Sequence, residues 1–439
     1  MHAARHPHAA LLTSVALTLA TEPAVQAGRE AASNAAYAGA AVGLALRAGV
    51  ALACLFVAWE GQRRLRLGPV LACATLLGLG WLTLHLVIGV HPDQDLDFYA
   101  QDGSSLLDGS YPRSEYPTGA VGLFALETWL GGEPPRTVHA LVMLGLHLVT
   151  VVAVWSLRTR WSGWFAAFVA VWPLNLFHWE FRYDLAPTAF LVLGLVLALR
   201  GRWASSGAAL GVGTALKWSP ALALGPLLAW HLARRRARAA MSVTAGALAA
   251  FAALTLPFFL WDSSGVLTAY EQQGDRGITG ESLWFLPLSA LGLASAGPNS
   301  SDDAGVGSGL NVGVTFVQLA LVAGLVVLAA RVRLQAHAVA LAALTPAAFL
   351  LTNRVFSSQF LVLLVAVWAF AAALVVGSER EQLAIGVGMA GATFANALVH
   401  PYELPFAWQL ASLAMFVLAV GVTAWLVVRA SRPAETVPT

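Results

Sequence analysis

An all-α, polytopic membrane fold of about 13 transmembrane helices follows from three features of the sequence. Of its 439 residues, 58% are apolar, and the mean hydropathy is +0.70. Charged residues make up 11% of the chain, against about 25% in water-soluble proteins. The apolar residues also fall in runs that can cross a hydrocarbon core of about 30 Å, where a helix persists because it satisfies its own backbone hydrogen bonds. Cys54 and Cys73 both lie in apolar runs and form neither a disulfide framework nor a metal motif.

The chain opens with a basic start, a short apolar run over 9–20 and an Ala-x-Ala-like end, the pattern of a secretory signal. Residues 1–34 are therefore set apart as an N-terminal extension: a cleaved signal, a marginal first helix or an upstream addition. Residues 35–430 read as one integral-membrane domain. Its spans are predicted at 37–59, 68–90, 137–157, 161–177, 185–199, 204–216, 219–232, 240–260, 310–330, 336–351, 360–376, 383–399 and 406–428. The runs 204–216 and 219–232 are short, as in a tight hairpin or a re-entrant element. Residues 431–439 form a tail.

Arginine sets the orientation. The loops holding Arg63, Arg64, Arg66, Arg158, Arg160, Arg200, Arg202, Arg234, Arg235, Arg236, Arg238, Arg331, Arg333, Arg380, Arg429 and Arg432 alternate with loops holding Arg113, Arg136, Arg182, Lys217, Arg276 and Arg354. The positive-inside rule assigns the first set, and the tail, to the cytoplasm. Most acids lie in the second set. The cytoplasmic face is then plain and the outer face chemically loaded. Ordinary solvated acids account for Asp302 and Asp303 in their flexible run, and less well for the clusters that follow.

The first outer loop, 91–122, carries Asp93, Asp95, Asp97, Asp102, Asp108 and Glu115 together with Arg113 and three tyrosines. A general base needs a carboxylate held close to a hydroxyl proton. Asp93, Asp95 and Asp97 would share one side of an extended segment; in a helix starting near Asp95, Asp95 and Tyr99 become i, i+4 neighbours. Residues 97–108 fit a short amphipathic helix on the membrane surface, with Phe98, Leu106 and Leu107 dipping in. An interfacial loop with Asp caps and Tyr anchors explains the stretch about equally well.

Five smaller clusters share that face. Glu180, Arg182 and Asp184 crowd a short turn, where charges next to hydrocarbon either pair locally or line a polar cavity. Lys217 is the single lysine of the chain, placed to meet a lipid phosphate or to snorkel. Arg276 and Glu281 sit in a Gly-containing loop. Asn353, Arg354 and Gln359 occupy another turn. His400 and Glu403 lie in a Pro-rich turn whose chemistry suffices to explain them. The histidines His85, His139, His147, His231 and His337 are singletons without metal spacing and read as packing residues. The chain has no nucleotide fingerprint, Walker motif or nucleophile elbow, so a lipid donor fits better than a nucleotide sugar.

These motifs together resemble the C-type membrane glycosyltransferases, and among them glycosyltransferase family 87, the polyprenyl-phosphate-mannose-dependent mannosyltransferases of actinobacteria. The resemblance is carried, in the family's order, by residues 95–117, 213–230, 272–284 and 353–364. Family members often have Tyr-Pro-Pro where this chain has Tyr116, Pro117 and Thr118. The resemblance implies an inverting transfer with Asp95 as base, followed four residues later by Tyr99; Asp97 is the substitute and Asp93 stands behind it. The leaving phosphate needs positive charge, and Lys217, Arg276 and Arg354 are the basic residues on the correct face for it; Tyr99, Tyr116, Glu281 and Gln359 are candidates to meet the substrate, and Glu180, Arg182, Asp184 and His400 are secondary candidates. No cofactor is required, though a divalent cation fits the Asp93–Asp97 cluster. The implied partners are a polyprenyl-phosphate sugar, a glycolipid or glycan acceptor and membrane lipid, without nucleic acid. The implied place is the cell (inner) membrane, with the site on the extracytoplasmic side. Mannose is not separated from arabinose or glucose by anything in the sequence. A transporter or flippase is the rival reading, weakened by the lack of internal repeats and by charges gathered at one face; a non-catalytic scaffold is a further one.

Overall fold

Every predicted apolar run is helical in the structure, a computed structural model that describes residues 6–31, 33–90, 94–132, 135–176, 179–295, 304–399 and 408–432. The helices are α1 Pro7–Glu30, α2 Asn34–Glu60, α3 Leu67–Val87, α4 Gln94–Leu107, α5 Thr118–Gly131, α6 Arg136–Trp155, α7 Ser162–Leu176, α8 Leu185–Leu199 and α9 Trp203–Leu216. They continue as α10 Leu224–Ala233, α11 Ala237–Trp261, α12 Ser263–Asp275, α13 Phe285–Ala290, α14 Ser308–Arg331, α15 Gln335–Leu351, α16 Leu361–Val375, α17 Glu379–Val399 and α18 Trp408–Ser431. No strand occurs among the described residues, so the fold is all-α.

Eight of these helices are long and apolar enough to cross a membrane: α2, α3, α6, α11, α14, α16 with the turn before it, α17 and α18. The remaining expected spans are shorter. Three, α7, α8 and α15, are shorter apolar helices. The other two form the hairpin of α9 and α10, about 21 Å and 15 Å long at 1.5 Å per residue, against a core of about 30 Å. Burial explains the layering. In α16 89% of the apolar window is buried, against 17% in α11 and 22% in α14. A helix apolar all round belongs inside a bundle or in lipid; α16 takes the first place, and α11 and α14 present Leu248, Leu260, Val312 and Phe316 outward. Helices α9 and α11 approach closely because α9 is stripped of side chains along one edge. A Cβ at Gly207 would stand 2.0 Å from the Val243 carbonyl oxygen, and one at Gly211 2.3 Å from that of Ala247, the small-residue packing expected between membrane helices.

The bundle has two chemically distinct ends. At one, Arg160 pairs with Glu379, Arg429 with Glu381, Arg234 binds the Val332 carbonyl, Gln335 binds that of Ala198, and Trp59 reaches Gln382. This end carries the arginine-rich loops. The opposite end carries the acid-bearing loops, and there α4 and α5 lie against each other.

Helices α5, α12 and α13 went unread in the sequence, and α1 was read only in part. Helix α1 runs well past the expected 9–20 because its buried stripe is polar: Ser14, Thr18, Glu22 and Gln26 alternate there with Leu11, Val15 and Val25. Helix α5 begins right after Pro117, which sets the extended conformation before the first turn. Helix α12 is capped by Asp262, whose carboxylate accepts from the Gly265 N–H at 3.0 Å.

Candidate functional site

The site forms where the acid-bearing loops meet. Helix α4 starts at Gln94, with Asp95 and Asp97 in its first turn, where carboxylates suit the helix dipole. Its period divides them. Leu96, Tyr99, Ala100 and Gly103 are buried, whereas Asp97 and Phe98 face outward. Gly103 is required by the contact with α5: a Cβ there would lie 2.6 Å from Thr128 Oγ1 and 2.7 Å from the Phe124 carbonyl oxygen. The helix ends in a Schellman turn, with Gly109 at φ +82° and the Ser110 N–H donating to the Ser105 carbonyl at 3.0 Å. The chain then folds back. The Ser114 hydroxyl donates to Asp102, and the Tyr116 N–H donates to Ser114 Oγ at 3.0 Å.

This hairpin seats an aromatic floor. Tyr99 is fully buried and stacks on Phe124 with ring centroids 4.2 Å apart; Tyr116 and Tyr183 meet it edge-on at 5.3 Å and 5.6 Å. Burial first, and neighbouring carboxylates second, hold the Tyr116 phenol well above its usual range, so it stays neutral. Burial also pushes the Asp102 carboxyl up to about 6, against the lowering effect of the Ser114 bond.

Over this floor runs a row of alternating charges. Asp95 pairs with Arg182. Two residues further along the same turn, Asp184 accepts from Lys217 at 2.5 Å. The Lys217 ammonium lies 5.2 Å from the Tyr183 ring centroid and 4.7 Å from that of Phe360. The turn between α7 and α8 does not pair Glu180 with Arg182. Arg182 reaches α4, and Glu180 binds His85 from below. Asp184 Oδ2 is buried with no hydrogen-bond partner. A second group adjoins the row. Arg276 pairs with Glu115 at 3.2 Å. The loop after α12 is tied to the turn after α15, since the Thr279 N–H donates to the Arg354 carbonyl at 3.0 Å and the Trp284 indole to that of Thr352 at 2.8 Å. Arg354 itself donates to the Gly274 carbonyl at 3.2 Å. Thr279 Oγ1 and Ser282 Oγ are buried there without partners.

Of the residues singled out in the sequence, Asp95, Tyr99, Tyr116, Arg182, Asp184 and Lys217 are thus brought together. Arg276, Arg354 and the half-buried Glu281 form the adjoining wall. Gln359 is half-buried in the turn Ser358–Phe360, next to the ring below Lys217. Asp97 faces away from the row. Asp93 and His400 lie outside the described residues. Among the described residues no group of three or more His, Cys, Asp or Glu side chains is placed to hold a metal ion.

No protein-family model, curated protein or solved structure matches the chain.

Two histidines read as packing residues prove to be partners of buried carboxylates. His139 Nδ1 lies 2.8 Å from Glu127 Oε2, with both side chains fully buried. His85 bridges Glu22 and Glu180. Phe124 and Tyr183 were also missed as parts of the floor. Only Tyr183 had a signal, its place inside a charged turn.

Proposed function

We propose that this protein is a membrane glycosyltransferase that moves a sugar, most fittingly mannose, from a polyprenyl phosphate to a hydroxyl of a lipid or glycan acceptor on the extracytoplasmic side of the cell membrane. The observation that supports this most is the row Asp95–Arg182–Asp184–Lys217 over an aromatic floor, built from segments remote in sequence. Such a row holds the two chemistries the reaction needs. A carboxylate can take the acceptor proton. Cations can stabilise the charge that develops on the leaving phosphate, strongly so where water is scarce.

In the pairing seen here each cation is held by a carboxylate. A phosphate arriving from the bilayer competes with Asp184 for Lys217 and with Asp95 for Arg182. Phosphate capture by Arg182 therefore releases Asp95 to act as base. The acceptor oxygen then attacks the anomeric carbon from the face opposite the phosphate, and the C–O bond to the phosphate breaks with inversion; one carboxylate suffices for this, unlike the pair of a retaining hydrolase. Arg276 and Arg354 stand beside the row as further contacts for donor or acceptor. Tyr116, half-buried and neutral, supplies flat apolar surface beside the sugar, backed by the buried rings of Tyr99 and Tyr183. The arginine-rich loops at the other end support placing the site outside.

The test is transfer in isolated membranes supplied with radiolabelled polyprenyl-phosphate mannose. Label reaching a glycolipid with the wild type, and not with Asp95→Asn at equal expression, is the expected result. No transfer from this or any other polyprenyl-phosphate sugar sinks the proposal. A transporter is the second reading, favoured by one observation: buried charges inside the bundle, as ion and proton pathways use them.

A further inference from the structure

Below the site lies a chain of ionisable side chains that the proposed chemistry leaves unused. Glu22 of α1 pairs with Arg47 of α2 and accepts from Gln26 at 2.6 Å. Its Oε1 also lies 3.4 Å from Nε2 of His85, on α3, and the other ring nitrogen of His85 binds Glu180. Glu22, Arg47, His85 and Glu180 are all fully buried. Trp81 shields the chain, with its ring 4.5 Å from that of His85 and 5.7 Å from the Arg47 guanidinium.

Counted along their helices at 1.5 Å per residue, Glu22 and Arg47 lie about 12 Å and about 20 Å from the nearer ends of α1 and α2, and His85 about 3 Å from the end of α3. Fully buried charges are costly unless paired, and within an apolar bundle their presence marks function by default. An α1–α2 ion pair by itself needs only Glu22 and Arg47. The continuation through His85 to Glu180 runs toward the site instead. Glu180 belongs to the same short turn as Arg182 and Asp184, the two residues that hold Asp95 and Lys217.

We propose that Glu22, His85 and Glu180 form a positioning relay that fixes this turn, and that α1 is for this reason a working part of the site. Glu22 orients His85 by holding Nε2. His85 orients Glu180 through Nδ1. Glu180 anchors the backbone from which Arg182 and Asp184 project. The claim about substrate rests on the transferase reading above; the claim about the turn does not.

The experiment uses the full chain in membranes and two variants. Removing Glu22 alone strands the Arg47 charge, so the first variant is Glu22→Gln with Arg47→Met, which deletes both charges together and is the change a buried pair tolerates best. The second is His85→Gln. Hydrogen–deuterium exchange read by mass spectrometry over residues 179–184 should rise about tenfold in both, with the unfolding temperature of the double variant close to wild type. Kinetics should show a raised KM for the lipid donor with the acceptor KM unchanged, a split that general loss of folded protein does not produce. Unchanged exchange over 179–184 in folded His85→Gln or in the double variant overturns the relay. Raised exchange in variants of a wild type that transfers no sugar upholds the relay and removes the transferase reading.

Discussion

Removing the Lys217 ammonium while Asp184 stays in place weakens the fold from inside the site. The side chains are 17% and 3% exposed, and Nζ lies 2.5 Å from Oδ1. Asp184 Oδ2 already lacks a partner. Lys217→Met keeps the apolar stem and strands the carboxylate. Breaking a buried pair from one side costs about 3–5 kcal/mol. Water reaches the lysine end, so the cost here falls to about 2–3 kcal/mol. Unfolding entropy near 2.1 cal/mol/K per residue gives about 0.9 kcal/mol per degree for a chain of 439 residues. The melting temperature in detergent should therefore drop by about 2–3 °C. Asp184→Asn leaves the half-hydrated ammonium without a partner and should cost less, about 1 kcal/mol. The double variant Asp184→Asn/Lys217→Met should recover toward wild type, with a coupling energy of about 1–2 kcal/mol. A Lys217→Met protein as stable as wild type, or a double variant whose loss is the sum of the two single losses, would refute the pair as an energetic unit.

Asp102→Asn should stabilise the protein at pH 7 and flatten its pH dependence. The Asp102 carboxyl is pushed up to about 6 from 3.8 by burial, so the folded state binds the extra proton between these values. Stability from this group is full below about pH 4, declines as pH rises and is gone above about 6; relief at pH 7 is about 1–2 kcal/mol after screening, read by thermal unfolding across pH 4–8. Gly103→Val should push α4 off α5, since the obstructing atoms include the Phe124 backbone; overpacking of this kind costs about 1–3 kcal/mol, and unfolding temperature together with transfer rate checks it. Arg276→Met should behave oppositely. Its pair with Glu115 is exposed, 46% and 34%, so stability should change by less than about 1 kcal/mol, while steady-state kinetics show a raised donor KM.

The helices that coincide with long apolar runs were legible in the sequence, whereas α5, α12 and α13 were not. The runs at 185–199 and 336–351 fall within a residue of α8 and α15. Helix α1 was not legible as a full helix, since hydropathy averages over a stripe made polar by Ser14, Thr18, Glu22 and Gln26. The site residues were legible as types and not as pairs. Asp95 and Arg182 each stand in a conspicuous stretch, yet they are 87 positions apart, and the packing of α4 over the turn after α7 is what joins them. Glu180 and Arg182, two residues apart, suggest a local pair, and the turn sends them in different directions. His85 carried no signal at all. A lone histidine in an apolar run gains meaning only when Glu22 and Glu180 arrive from other elements. Asp95 ranked ahead of Asp97 only through the family resemblance, and the helical period now turns one to the floor side and the other outward.

The most direct test of the account is to compare Asp95→Asn with Asp97→Asn at matched expression, in membranes given labelled polyprenyl-phosphate mannose and a glycolipid acceptor. The geometry predicts transfer by wild type and by Asp97→Asn, and loss of transfer by at least about a hundredfold in Asp95→Asn, the scale of a missing general base. Full transfer by Asp95→Asn would contradict the assignment of Asp95 as the base.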